Sequence, residues 1–293
     1  MPPIPSPRSS GFTSTTAVPL YFVAYGQPGP PPLLVLHGGP GADHAYLLPQ
    51  MLDLARDHEL LLYDQRGGGR SKTDDRAPIT WRTHVDDLDR LVGELGAEPL
   101  AIVGYSWGGL LAMLFAIEAA AERTRHKPSR LVLIDPAPVT RAYREDFERE
   151  FQRRQSAGSV ARLRTELAAS GLREHDPDAY RQRAFELSVA GYFADPSATH
   201  DLTPFRVIGR VQQSVWESLG DYDLLAGGQL DSVHVQTLIV HGRQDPIPLA
   251  SSEAAARAMG ATLVVLEGSG HVPYVERPAA LFAAVRDFLS RPS

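Results

Sequence analysis

One serine, in Gly104-Tyr105-Ser106-Trp107-Gly108, stands between an apolar run, Leu100 to Val103, and a helical one, Leu110 to Ala116. A strand that turns sharply into a helix around a single serine needs residues without side chains two positions to either side, because a Cβ there would collide with the bend. Such a turn pushes the serine outward at the carboxyl end of a sheet, where the first N–H groups of the following helix favour developing negative charge. The chemistry is nucleophilic attack on a carbonyl; the plain alternative is a structural turn. A serine hydroxyl is too weak an acid to attack unaided, so a base must lie within hydrogen-bond reach, with an acceptor that orients the base.

Ten histidines are available. His271, in Gly268-Ser269-Gly270-His271-Val272-Pro273, follows an apolar run and precedes the last helical pattern, and its glycines let that loop bend back over the sheet. The acid is expected on a strand-end loop between serine and histidine. Asp245 in His241-Gly242-Arg243-Gln244-Asp245-Pro246 and Asp135 in Leu133-Ile134-Asp135-Pro136 both meet that condition. Asp245 is preferred, because its strand directly precedes the His271 strand. Charge on a tetrahedral intermediate needs two aimed N–H donors. Trp107, next to the nucleophile, offers one, and His37-Gly38-Gly39-Pro40-Gly41 offers a second, at Gly39, unless its glycines merely make a turn. His44, His84, His200 and His241 show no metal-ligand spacing and read as surface or structural groups. Asp64-Gln65-Arg66-Gly67-Gly68-Gly69-Arg70-Ser71 lacks the lysine and helix of a phosphate loop and reads as a strand-end turn with Asp64 and Arg66 paired. No cofactor and no metal are expected.

These groups have to be held by a scaffold. Short apolar runs at Leu33–Leu36, Leu60–Tyr63, Leu100–Val103, Leu131–Ile134, Leu238–Val240 and Leu263–Leu266 read as strands buried on both faces. Helical patterns lie between them, at about 81–95, 110–122, 251–259 and 278–289. Strands alternating with helices mean an α/β fold with a mostly parallel, doubly wound sheet. The alternation breaks between residues 139 and 219, where amphipathic segments (Tyr143, Phe147, Phe151; Val160, Leu163, Leu167) carry much charge. That stretch is expected to be an inserted helical lid on a core of residues 12–138 and 220–293, with residues 1–11 a flexible proline-rich arm and a turn forced at Gln27–Pro32.

The chain has 293 residues, 43% hydrophobic and 22% charged, with formal charge −6 and no cysteine. It can bury one large core, and it has no basic footprint for nucleic acid or anionic lipid. The missing cysteine removes disulfides, thiolate metal sites and a thiol nucleophile together. No apolar stretch approaches the roughly 20 residues that cross a bilayer, so a cytoplasmic protein acting on a small molecule or short peptide is expected.

His37 to Gly41, Asp64 to Gly67 and Gly104 to Gly109, in this order and followed by Asp245 and His271, give a resemblance to the α/β-hydrolase superfamily. Within it the chain resembles the prolyl aminopeptidase (proline iminopeptidase) group. That resemblance spans nearly everything from Leu33 onward. It implies the α/β-hydrolase fold with Ser106, Asp245 and His271 as catalytic triad, and release of an amino-terminal residue through an acyl-enzyme. It also implies carboxylates in the lid to hold the substrate's ammonium group, since an unpaired buried cation is costly. Where tricorn-interacting aminopeptidases carry two such glutamates, this chain has Gln212 and Pro246. Glu186 and Glu217 are the substitutes to consider, with Gln212 the third candidate for substrate binding. The alternatives are an esterase or lactonase with the same triad, and a non-catalytic ligand-binding member of the fold. A histidine base predicts activity rising with pH through a limb near about 7.

Overall fold

The computed structural model describes residues 4–28, 32–74 and 76–291. Met1–Pro3 of the expected arm and Gly29–Pro31 of the expected turn lie outside the described residues. Among these residues eight strands form one sheet: β1 (Ser9–Phe12), β2 (Tyr21–Tyr25), β3 (Leu33–Leu36), β4 (Leu60–Tyr63), β5 (Leu100–Tyr105), β6 (Pro128–Ile134), β7 (Gln236–Gly242) and β8 (Thr262–Leu266). Their spatial order is β1-β2-β4-β3-β5-β6-β7-β8. β1, β2 and β4 pair antiparallel, and β4 through β8 are parallel.

Among the described residues ten α-helices accompany the sheet: α1 (Trp81–Leu95), α2 (Trp107–Ala120), α3 (Arg141–Gln155), α4 (Gly158–Ala169), α5 (Leu172–His175), α6 (Pro177–Val189), α7 (Gly209–Leu219), α8 (Leu249–Met259), α9 (Pro273–Glu276) and α10 (Pro278–Ser290). None is long and apolar enough to cross a membrane among the described residues. Local chemistry sets their ends. Thr80 caps α1 in a reciprocal box with Thr83, and Gly96 closes it at φ 61°. α2 runs three residues earlier than its apolar pattern suggests, since it begins immediately after Ser106, and it stops before Glu122, whose φ of 58° is left-handed.

Alternate residues of the strands serve two cores. Leu34, Leu36, Ile102, Leu131, Leu133 and Ile239 pack against α1, α2 and α8 on one face. Leu33, Val35, Leu62, Val103, Val132 and Val240 pack on the other against α10, through Leu281, Phe282, Val285 and Phe288. The runs are apolar throughout because both faces are covered. α3 to α7 all lie between β6 and β7, where the alternation breaks.

The structure corrects two local expectations. Ser9–Phe12 is not part of a free arm: β1 pairs with β2 from Ser9↔Ala24 to Phe12↔Tyr21. The prolines end at Pro7, so the backbone N–H groups needed for a ladder are present from Arg8 onward, and Arg8 donates to Ala24 O at 2.8 Å. Asp64 and Arg66 do not pair with each other. Asp64 accepts from His44 Nδ1 at 2.6 Å, while Arg66 makes a bidentate pair with Asp87 of α1 at 2.7 and 2.6 Å. Both lie past the end of β4, where the chain enters a turn, and their side chains reach partners on different elements.

Candidate active site

Because β3 and β5–β8 run parallel, their carboxyl ends share one edge of the sheet, and the loops carrying Gly39, Ser106, Asp135, Asp245 and His271 all emerge there. Ser106 has φ 53° and ψ −119°, a strained backbone for a residue with a side chain. The flanking glycines are required by contact: a Cβ on Gly104 would lie 2.5 Å from Gly108 O, and one on Gly108 would lie 2.2 Å from Leu36 O.

His271 Nε2 is 3.0 Å from Ser106 Oγ, and His271 Nδ1 is 2.8 Å from Asp245 Oδ2. The other Asp245 oxygen accepts from Ile247 N at 2.7 Å. The His271 backbone is fastened as well: its N–H donates to Tyr192 O at 2.7 Å, and its carbonyl accepts from Tyr105 Oη at 2.9 Å. The Tyr192 ring stacks on the imidazole with centroids 5.1 Å apart, and Phe151 of α3 covers Tyr192 in turn at 4.4 Å. Residues of the segment inserted between β6 and β7 therefore roof the imidazole and keep water from one side of it.

Asp135, the other acid considered, is fully buried just after β6 and makes no hydrogen bond to the imidazole, whose two nitrogens meet Asp245 and Ser106. One of its oxygens accepts from Gly242 N at 2.7 Å. Its carboxyl group, one on Asp245 and a nitrogen of His241 gather with single atoms of each within 4.8 Å. Burial and the neighbouring Asp245 push the Asp135 carboxyl well above the usual range, and its second oxygen is buried with no hydrogen-bond partner among the described residues. His241 is held by Ser252 Oγ at 2.9 Å and Ile247 O at 3.2 Å, a structural role as expected from its sequence context.

Burial lowers the His271 imidazole to about 4 and raises the Asp245 carboxyl to about 7, the latter opposed by the hydrogen bond from Ile247 N. The two share a proton, so an acidic limb belongs to the pair. On the serine-hydrolase reading proposed below, the imidazole must be free and the carboxylate ionised, so activity is expected to rise with pH, with the limb between about 4 and about 7. The pH profile of kcat/KM checks this; activity falling with pH across that interval contradicts it.

The amides of Gly39 and Trp107 donate to no protein acceptor among the described residues, whereas Gly38 N–H is already committed to Tyr46 Oη at 2.7 Å. Gly39, Trp107, Ser106 and His271 border a cavity of about 920 Å³. Its rim carries charge from Arg141, Arg144, Glu145, Glu148 and Glu217. A second arm of about 370 Å³ also starts at Ser106 and is uncharged, lined by aromatic groups such as Tyr46, Phe185, Tyr192 and Phe205. Gln212 borders both arms and Glu217 the wide one. Glu186 does not reach either. It is buried in a separate groove with Leu163 and Leu167, where Arg183 at 2.6 Å and Gln182 at 3.1 Å satisfy it.

Sequence reasoning missed Glu276, whose carboxylate accepts from Gly270 N and Ala194 N at 2.7 Å each and so pins the His271 loop to the inserted segment. It also missed the aromatic roof. The four-residue spacing of Phe147 and Phe151 marks a common helix face, but not what that face covers.

Comparison with known proteins agrees with this architecture. Residues 33–285 match the alpha/beta hydrolase family. A proline iminopeptidase of Heyndrickxia coagulans is 25% identical over 96% of this chain and 99% of that relative, and one of Lactobacillus helveticus is 27% identical over 89% and 90%. Among solved structures, proline iminopeptidase of Mycobacterium smegmatis superposes with a TM-score of 0.69 at 22% identity, over 96% of this chain and 97% of that one. The enol-lactonase of Burkholderia xenovorans LB400 superposes at 0.67 with 22% identity, over 96% and 100%. At such identities the superpositions speak for the fold alone. With the eight-stranded sheet, the strained serine turn after β5 and a family match covering most of its length, this chain belongs to the alpha/beta hydrolase family.

Proposed function

We propose that this protein is a serine hydrolase that works through an acyl-enzyme and releases an amino-terminal aminoacyl group from a short peptide or small amide. The observation that supports the chemistry is the continuous line Asp245–His271–Ser106, with hydrogen-bond distances of 2.8 and 3.0 Å. Ser106 Oγ attacks the carbonyl carbon as its proton passes to His271 Nε2. Asp245 steadies the imidazolium through Nδ1–H, and the oxyanion accepts from the Gly39 and Trp107 amides. The proton then moves from Nε2 to the departing nitrogen, and water, activated by the same imidazole, frees the acyl group.

The aminoacyl preference is supported by the named relatives and by Glu217, on the wall of the wide arm. Its neighbours in that wall, Glu145 and Glu148, are paired with Arg141 and Arg144, whereas among the described residues the Glu217 carboxylate accepts only from Gln213, at 2.7 Å. A carboxylate so placed suits an ammonium group at the cavity mouth. Glu217→Gln is expected to raise KM for prolyl and alanyl anilides about 10-fold, the effect of roughly 1.4 kcal/mol, and to leave short-chain nitrophenyl esters unchanged. Equal effects on both substrate types, or none on either, would remove Glu217 from the reading.

A neutral ester or lactone is the second reading, favoured by the uncharged aromatic arm beside Ser106. Steady-state assays of prolyl and alanyl anilides beside nitrophenyl esters separate the two: ester turnover without anilide cleavage selects the second. A non-catalytic role is tested by fluorophosphonate labelling, which the hydrolase readings require in the wild type and exclude in Ser106→Ala.

A further inference from the structure

The Asp64-Gln65-Arg66 turn after β4 contributes nothing to the proton relay, yet Gln65 is fully buried and sits between the two places that supply the oxyanion donors. Its side-chain oxygen accepts from the Trp107 indole Nε1 at 2.7 Å, and its side-chain nitrogen donates to His37 O at 2.8 Å. Its backbone N–H meets His37 Nε2 at 3.1 Å, and the opposite ring nitrogen, His37 Nδ1, lies 2.9 Å from Gly38 O.

These contacts allow one arrangement of protons. Gln65 N–H can only donate, so His37 Nε2 is the acceptor; Nδ1 then carries the hydrogen and gives it to Gly38 O. Burial lowers the pKa of this imidazole and keeps it neutral, in agreement with that tautomer. The carbonyl of Gly38 and the N–H of Gly39 belong to one planar trans peptide and point in opposite directions. Holding Gly38 O therefore aims the Gly39 N–H. Tyr46 Oη takes the Gly38 N–H and fixes the preceding peptide in the same way. At the other end, packing of the Trp107 ring edge-on against Trp216 and His84, with centroids 5.5 and 5.9 Å away, leaves its N–H directed at Gln65.

We propose that Gln65 is a positioning residue for the oxyanion site: its amide ties Trp107 to the His37–Gly39 loop and sets the spacing and direction of the two backbone donors. The inference rests on the serine-hydrolase reading and its assignment of Gly39 and Trp107 as those donors. Arg66 anchors the same turn to α1 through Asp87, so Gln65 is presented from a rigid support.

The test replaces Gln65 with methionine, of similar length but without the amide, and measures three things on whichever substrate, anilide or ester, the wild type turns over. We expect kcat to fall about 100-fold with KM changed by less than about twofold, and a trifluoromethyl ketone analogue of that substrate to bind weaker by a factor like that in kcat. Trp107→Phe, which removes the indole N–H together with part of the ring, is expected to lower kcat about 10-fold, and Gln65→Met/Trp107→Phe to be no worse than Gln65→Met alone. A folded Gln65→Met enzyme with kcat within about threefold of wild type overturns the proposal, as do a loss confined to KM, unchanged analogue affinity, or multiplying effects in the double variant. Should Gln65→Met not fold, Trp107→Phe decides: a fall in kcat with equal weakening of the analogue supports the tie, and an unaltered kcat overturns it. Fluorophosphonate labelling of the wild type separates the two layers. Without labelling of Ser106 the serine-hydrolase reading itself falls, whereas labelling together with an unimpaired Gln65→Met enzyme overturns this inference alone.

Discussion

Ser106→Ala and His271→Ala are each expected to lower turnover by about 10⁴-fold or more, while the protein stays folded. The loss is large because neither group has a substitute: Ser106 Oγ is the only hydroxyl within hydrogen-bond distance of His271 Nε2 among the described residues. The structural cost is small for a specific reason. The φ of 53° at Ser106 is imposed by the strand-to-helix turn and is as strained for alanine as for serine, and the Oγ bonds only to the imidazole. Initial rates on the preferred substrate and a melting curve for each variant check the prediction. Insoluble protein from both would make the pair structural, and turnover within about 10-fold of wild type would dissolve the proposed relay.

The second large effect separates the two buried acids. Asp245→Asn is expected to reduce kcat by about 10⁴, because the amide that would then face His271 Nδ1 favours the tautomer with its hydrogen on Nε2, where Ser106 needs an acceptor. Asp135→Asn is expected to stay within about 10-fold of wild type: the amide keeps the shape of the carboxyl group and its oxygen still accepts from Gly242 N, and Asp135 makes no hydrogen bond to the imidazole. Measuring kcat for both variants at one pH above the acidic limb decides the assignment. The reverse order would make Asp135 the partner of the imidazole.

Much of this molecule is legible in its residues. The strands announce themselves as apolar runs because a sheet covered on both faces leaves no polar position along them, and β3 to β8 all carry such runs. The serine turn is equally local: Gly104 and Gly108 are there because the backbones of Gly108 and Leu36 come within 2.5 Å of where a Cβ would stand. His271 could be chosen from ten histidines because its loop has the glycines needed to close over the sheet.

What stayed hidden depends on segments that meet only after folding. The sequence places Asp64 beside Arg66, but β4 lies between β2 and β3, and that placement delivers Asp64 to His44 and Arg66 to α1 instead. Glu186 reads as a possible ligand for an ammonium group, yet its helix turns it into a groove with Arg183, away from Ser106. The choice between Asp135 and Asp245, the aromatic cover on His271 and the bridge made by Gln65 are of the same kind. Spacing along a chain encodes periodicity and local steric demand, and these suffice to define strands, helices and one strained turn. Hydrogen bonds between residues 20 to 165 positions apart are chosen by strand order and by which face of each element is buried, and those are settled only when the whole core packs.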